Sequence, residues 1–572
     1  MISLQYCPLR TLQMSPDAVT AARHRLASLA IWVGLPALAV AFRLLLAAVL
    51  PRVLHSDEPI YLLLGVNVLS GRGYTTWLIP DLHFPPFFPL VAGLFYRLTG
   101  SLEWAGNLAY ALFGGLLVVP LFLLARRVYG TTTAWITAVF VILFPALNIS
   151  VLYWGSMTEP LFLFLLYAAA AVLLAGLEEQ RGRWLAVAGG LLGLAYLTRP
   201  EGLGYFVVGC LLVLLWPAKG WAFGLRLRRL AGFAAIFLLL AAPYLFYLKG
   251  QTGRWIFSGK GSLSWELGGE LGQTGKGYDW LIARLDSAQQ EVYWFSQERF
   301  LHAGGITQAL LNDPKQVLKR LLRNVSDLPF MLFEWHVFWF GLLPLVGLGL
   351  FGEAWDRARL RRECFLFAWL LPLAGLLLFR LVLRFYAPVF PLLLLWAAHG
   401  AVVLGTRWQQ TAVLCGANVA RRAWPANLLR YLPAASVVFY FLLISLSLVA
   451  NHRHELFLGY KKAAAWLEQH SPPTARVMTR ETAVGLYAAR VRVPFPNATW
   501  EQVRDYARRH QADYLVATEF ELTQLRPQLQ RLARQETRPP ELQLLYQFPE
   551  PSGQVFIFRF DWSRSERSPE TP

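Results

Sequence analysis

The sequence predicts a polytopic α-helical membrane protein, of about 11 transmembrane helices at roughly 20 residues each, with a small C-terminal α/β domain outside the membrane. Three observations predict it. Apolar residues make up 56% of the 572 and charged residues only 15%, against about a quarter charged in soluble domains. Apolar runs long enough to cross a bilayer recur along the chain. Arginine and lysine gather in alternate loops between them, the asymmetry expected of cytoplasmic loops.

The same distribution excludes a nucleic-acid partner. The net charge of +18 is spread over many loops and forms no continuous basic stripe. Cys7, Cys210, Cys364 and Cys415 are scattered without paired or CxxC spacing, so neither a disulfide framework nor a zinc site is expected. The polar, basic segment 1–27 shows no cleavable leader, with Met14 an alternative start. The first apolar run reads as a retained span.

Taken in order, Arg10, Arg23 and Arg25 put the N-terminus inside, and the first span covers about 28–50. An outer loop, about 51–104, carries Ser56-Asp57-Glu58-Pro59, then His83-Phe84-Pro85-Pro86 and a short interfacial helix from Phe87 to Leu98. Spans at about 105–125, 132–148 and 157–177 follow, with Arg126-Arg127 and Arg181 inside. Two shorter runs, 184–198 and 203–217, flank Thr198-Arg199-Pro200-Glu201-Gly202, whose proline and glycine mark a turn. A span at 230–248 leads to a second outer loop, about 249–327. Spans at 328–351, 364–380, 385–404 and 431–450 complete a membrane domain over 28–450. Residues 451–562 are a different material, polar and mixed in period, and read as an extracytoplasmic α/β domain. Tyr460–Gln469 is its first helix, Thr499-Trp500-Glu501-Gln502 a capping box, and Arg476–Thr479, Asp513–Ala517 and Gln554–Phe560 its strands. Residues 563–572 read as a disordered tail.

Charges at the ends of spans are costly unless water, a counter-charge or a ligand meets them. On this topology Asp57, Glu58, Glu159 and Arg384 all lie at the outer face. The paired acids suit a general base or a divalent metal. A solvated loop start explains them as simply. Arg380 and Arg384 suit either a phosphate or lipid headgroups, and Arg199 suits either a phosphate or an ion pair with Glu201. Gly259-Lys260-Gly261-Ser262 looks like a phosphate loop but lacks the GxxxxGK[ST] spacing.

Together Ser56-Asp57-Glu58, His83-Phe84-Pro85-Pro86, Thr158-Glu159-Pro160, Leu197-Thr198-Arg199-Pro200-Glu201-Gly202 and Arg384-Phe385-Tyr386-Ala387-Pro388 resemble the C-type glycosyltransferase superfamily. The branch is that of dolichyl-phosphate-mannose protein mannosyltransferases and aminoarabinose transferases. The resemblance implies transfer of a sugar from a polyprenyl-phosphate carrier to an acceptor (protein, lipid or glycan) on the extracytoplasmic face of the cell membrane. It implies Asp57 as catalytic base, with Glu58 and Glu159 supporting it or holding a metal. Arg384 and Arg199 would hold the carrier phosphate, and Tyr386 and His83 join the substrate site. Glu58, Glu159 and His83 are the candidate ligands of a divalent metal ion. The chain departs from the aminoarabinose transferases at His83-Phe84, where those carry an acidic-lysine pair, so neither that metal site nor that donor is carried over. The alternative reading is a transporter or flippase for a lipid-linked sugar or polysaccharide. A third is a membrane subunit whose tail binds partners.

Overall fold

The computed structural model describes residues 28–50, 53–77, 79–150, 158–217, 221–296, 298, 311–415, 428–451, 458–550 and 553–565. The basic N-terminal segment and residues 566–572 of the expected disordered tail lie outside them, while its first residues belong to a short helix, Trp562–Ser565. The chain is a multi-pass helical protein with a C-terminal sheet domain. Its helices are α1 (Ala30–Val49), α2 (Glu58–Leu69), α3 (Phe87–Thr99), α4 (Leu102–Tyr129), α5 (Thr131–Leu143), α6 (Thr158–Glu178), α7 (Gly182–Thr198), α8 (Gly202–Leu215) and α9 (Phe223–Thr252). Then come α10 (Gly261–Leu267), α11 (Gly275–Ala283), α12 (Pro314–Leu332), α13 (Leu343–Phe351), α14 (Arg357–Gly375), α15 (Val389–Cys415) and α16 (Leu432–Ala450). Among the described residues, six helices are long and apolar enough to cross a membrane: those beginning at Ala30, Leu102, Thr158, Phe223, Val389 and Leu432.

Local chemistry sets these elements. Ser101 caps α4 by accepting the Trp104 N–H at 3.3 Å, and Arg126 and Arg127 sit in its last turn, where a cation complements the carbonyl end. Gly130, at φ +96°, then turns the chain. In the interior, α6 and α15 bury most of their surface, whereas α9 and α16 leave large apolar side chains such as Leu239 and Phe439 exposed, as a lipid-facing rim requires.

Two expectations are corrected. The expected first outer loop holds a second helix, α2, which opens within the acid pair, with Asp57 as its N-cap and Glu58 its first residue. Its sequence is apolar on nearly every side, so no periodicity separates it from an irregular apolar stretch. It packs on α3 through a glycine pair: a Cβ at Gly65 would lie 2.0 Å from the Pro89 carbonyl oxygen. The expected single span 328–351 is instead two pieces. The amphipathic α12 of the outer loop runs through Pro329 to Leu332, and α13 begins only after a non-helical stretch and a 3-10 turn at Phe340–Leu342. The apolar run from Phe330 onward hid that break.

The C-terminal domain is a five-stranded sheet, with β1 (Thr75–Thr76) and β2 (Ile79–Pro80) forming a separate small hairpin in the first outer loop. The sheet order is β4 (Val491–Pro494), β3 (Arg476–Thr479), β5 (Tyr514–Thr518), β7 (Gly553–Phe560), β6 (Leu542–Glu550). The first three strands pair in parallel, and β7 pairs antiparallel with both β5 and β6. Alternation along β5 and β7 sends Leu515 and Phe558 to one face and Val516 and Ile557 to the other. The first face is covered by α19 (Trp500–Arg509), through Trp500, Val503 and Tyr506. The second is covered by α17 (Leu458–His470), through Tyr460, Ala463 and Leu467, with α18 (Thr482–Tyr487) beside it. The capping box at Thr499 and Gln502 is present.

The domain is tied down onto the outer loop. Tyr487 Oη donates to Glu103 at 2.9 Å and accepts from the Leu54 N–H at 3.0 Å. Lys461 pairs with Glu103 at 2.6 Å, and the Trp77 indole donates to the Arg490 carbonyl at 2.9 Å.

Candidate active site

Four segments far apart in sequence meet at one end of the helices. Ser56, at φ +58°, turns the chain into α2, and Asp57 is the N-cap residue, its carbonyl accepting from Ile60 and Tyr61 N–H at 3.1 Å. Glu159 lies in the first turn of α6 and is buried. Arg199 caps the C-terminus of α7 ahead of Pro200-Glu201. Arg384 sits in the 3-10 turn Leu383–Tyr386 that precedes α15.

Their charges alternate. Arg384 donates Nη2 to Asp57 Oδ2 at 2.9 Å, and its Nε lies 3.9 Å from Glu159 Oε1. Arg199 donates Nη1 to Glu159 Oε1 and to Thr158 Oγ1 (3.2 Å), and Nη2 to Glu201 Oε1 at 2.8 Å. The Phe385 ring lies 5.0 Å from the Arg199 guanidinium carbon and 5.4 Å from that of Arg384. The space left inside this knot is about 10 Å³, too little for a ligand. Within it Glu159 meets Arg199 and, at 3.9 Å, Arg384.

Asp57 faces outward, into a cavity of about 420 Å³. That is within the size range of small-molecule sites. Its walls come from Ser56 and Ile60, from Tyr278 and Ile282 on α11, from Trp294, and from the C-terminal domain. The base candidate thus has an arginine on its inner side and an open cavity on its outer side.

The other expected site residues are placed differently. Glu58, next in sequence to Asp57, is turned away and fully buried. It accepts the His55 N–H at 3.4 Å and lies 3.9 Å from the His55 ring, because successive side chains at a helix start diverge by about 100°. His83 lies against Trp294 with ring centres 4.2 Å apart, its backbone N–H given to Asp81 at 2.9 Å. Tyr386 is buried in the helical core, and the residues around the charged knot are its neighbours Arg384, Phe385, Ala387 and Pro388. Among the described residues no three His, Cys, Asp or Glu side chains gather as a metal site. Glu58, Glu159 and His83 therefore do not form the ligand set considered for a divalent ion.

One cation went unrecognised. Lys260 stands with its Nζ 4.9 Å from the centre of the Phe84 ring, in the field of Glu201, Arg199, Asp57 and Arg384. Gly259 permits this approach, since a Cβ there would lie 1.7 Å from the Leu82 carbonyl oxygen. Burial pushes the ammonium below the ordinary lysine value, with Glu201 opposing. The Gly-Lys-Gly-Ser context carries no local signal of where the lysine reaches.

Residues 83–247 match the family model described as dolichyl-phosphate-mannose-protein mannosyltransferase. No curated protein matches the chain by sequence. Among solved structures, ArnT from Cupriavidus metallidurans bound to undecaprenyl phosphate aligns with TM-score 0.57 at 15% identity, over 92% of this chain and 98% of that one. The archaeal oligosaccharyltransferase AglB from Archaeoglobus fulgidus, in complex with an inhibitory peptide and a dolichol-phosphate, aligns with TM-score 0.51 at 13% identity, over 94% and 75%. Likeness at such identity shows that the chain shares the fold of these two proteins.

Proposed function

We propose that this chain is a membrane glycosyltransferase that moves a sugar from a polyprenyl-phosphate carrier to an acceptor on the extracytoplasmic face, with Asp57 as general base. The observation that carries the reading is the placement of Asp57. Its carboxylate is held by Arg384 at 2.9 Å on one side and opens to a cavity of about 420 Å³ on the other.

In the reaction the acceptor hydroxyl gives its proton to Asp57, and the acceptor oxygen attacks the anomeric carbon from the face opposite the phosphate. The bond from that carbon to the phosphate oxygen breaks, and the carrier phosphate leaves with the electron pair. The configuration is inverted. Charge grows on the phosphate while the charge on Asp57 is quenched by the proton, so Arg384 is released from one anion as the other develops. That is the electrostatic stabilisation expected to dominate such a step. Lys260 adds positive charge when protonated, and Glu159 with Glu201 holds Arg199 in place. Glu159 is a positioning residue on this account.

The N-terminus is assigned to the cytoplasm, and the sheet domain to the outer side of the cell membrane. The test is mass spectrometry of glycans, lipids and proteins from a deletion strain. A product lacking one sugar, restored by the wild-type gene and not by Asp57→Asn, supports the assignment. Movement of a labelled lipid-linked sugar across vesicles by the purified protein, with no new glycosidic bond, favours the transporter instead.

A further inference from the structure

The cavity in front of Asp57 has a second polar end, supplied by the C-terminal domain, which the transfer step leaves unused. Arg480 follows β3, Arg492 lies in β4 and Arg526 comes from the loop after β5. Arg480 donates Nε to Asp279 at 2.8 Å and Nη1 to Glu481. Arg526 reaches the same Asp279 at 3.2 Å and rests on the Phe495 ring at 4.7 Å. These contacts occupy both carboxylates at this end of the cavity. Glu521, deeper in the domain, is turned to Tyr460 Oη at 2.8 Å and the Thr518 N–H at 3.0 Å, and burial raises it toward the neutral form.

Arg492 is left over. It donates Nε to the Thr479 carbonyl at 3.2 Å and Nη2 to the Arg480 carbonyl at 2.8 Å. Among the described residues it meets no carboxylate within the 4.0 Å of an ion pair. Burial pushes its guanidinium down to about 10, with Glu481 opposing and Arg480 and Arg526 adding to the fall. Arg526 adds a second sign, because its Nε and Nη1 are buried without an acceptor. A structural ion-pair knot accounts for Arg480 and Asp279. It does not account for a partly desolvated arginine on a cavity wall with no carboxylate in ion-pair range, which is costly unless an anion arrives.

We propose that the acceptor is anionic, and that its carboxylate or phosphate group docks at Arg492 beside Arg480 while its hydroxyl reaches Asp57. The aromatic wall formed by Trp294 and Phe295 suits the face of a ring between those two ends. The proposal rests on the reading of Asp57 as the transfer centre.

The test uses the full chain in lipid nanodiscs, saturated with undecaprenyl phosphate to occupy the donor side. Glucose, glucuronate and glucose 1-phosphate are titrated in turn, with tryptophan fluorescence as the readout. Glucuronate or glucose 1-phosphate is expected to bind at least tenfold more tightly than glucose, the preferred one telling carboxylate from phosphate, and the preference shrinks with salt. Arg492→Gln is expected to abolish the preference while undecaprenyl phosphate binding is unchanged. Arg492→Lys, which keeps the charge without the fork, retains part of it. Equal binding of charged and uncharged probes by the wild type overturns the proposal, as does a preference that survives Arg492→Gln. Failure of the wild type to bind undecaprenyl phosphate at all sinks the transferase reading instead.

Discussion

Replacing Arg384 by glutamine tests the donor side of the site. The guanidinium spans two acids, with Nη2 at 2.9 Å from Asp57 and Nε at 3.9 Å from Glu159. Both Arg384 and Asp57 remain about a quarter exposed, so water takes over part of the lost contact and the cost to folding is small. The cost to binding a phosphate is larger. A hydrogen bond to a charged group contributes about 1.5–3 kcal/mol, which corresponds to a loss of roughly tenfold to a hundredfold in affinity. Arg384→Lys keeps the charge but cannot span both acids, and falls between. The assay is equilibrium binding of undecaprenyl phosphate to the purified protein in nanodiscs, by native mass spectrometry, with the melting temperature as a control. Affinity within twofold of the wild type in a normally folded Arg384→Gln protein would refute the assignment of this arginine to the phosphate.

Other consequences follow from the same geometry. Glu159→Ala leaves Arg199 buried with one of its two carboxylate partners removed, and breaking a buried pair costs about 3–5 kcal/mol. A sharply lowered melting temperature in detergent is expected, whereas an unchanged one contradicts the knot. Gly65→Val drives a Cβ to 2.0 Å from the Pro89 carbonyl oxygen and forces α2 away from α3, so faster amide exchange across Glu58–Leu69 is expected. Lys260 carries a pH signature. Its pKa is lowered by burial, and only the charged form attracts phosphate, so its contribution to undecaprenyl phosphate binding is present at low pH. That contribution fades as pH rises through a point below the ordinary lysine range. Lys260→Arg moves the loss to higher pH, and an unshifted profile removes Lys260 from the donor site.

Much of the site was legible because charge at the end of an apolar run is expensive. Asp57, Glu159 and Arg384 draw notice on that ground, and the expected topology sets them at one face before any contact is known. What sequence does not carry is direction. Asp57 and Glu58 are neighbours with the same chemistry, yet one faces the cavity and the other is folded back on His55. Lys260 is about 60 residues from Arg199 and Glu201, and its approach depends on the close fit of Gly259 against Leu82, a tertiary contact with no local signal. The missed strands have local causes. Val491–Pro494 is short and holds Arg492, and Leu542–Glu550 shifts register between Leu544 and Tyr546, which breaks its alternation.

The transfer step itself tests the central claim most directly. With the donor and acceptor found by the strain comparison, single-turnover sugar transfer is measured for purified wild type and Asp57→Asn, alongside undecaprenyl phosphate binding. Loss of a general base predicts a rate lower by about a hundredfold to ten-thousandfold, with binding of the carrier retained. A transfer rate for Asp57→Asn within a few-fold of the wild type would contradict the account.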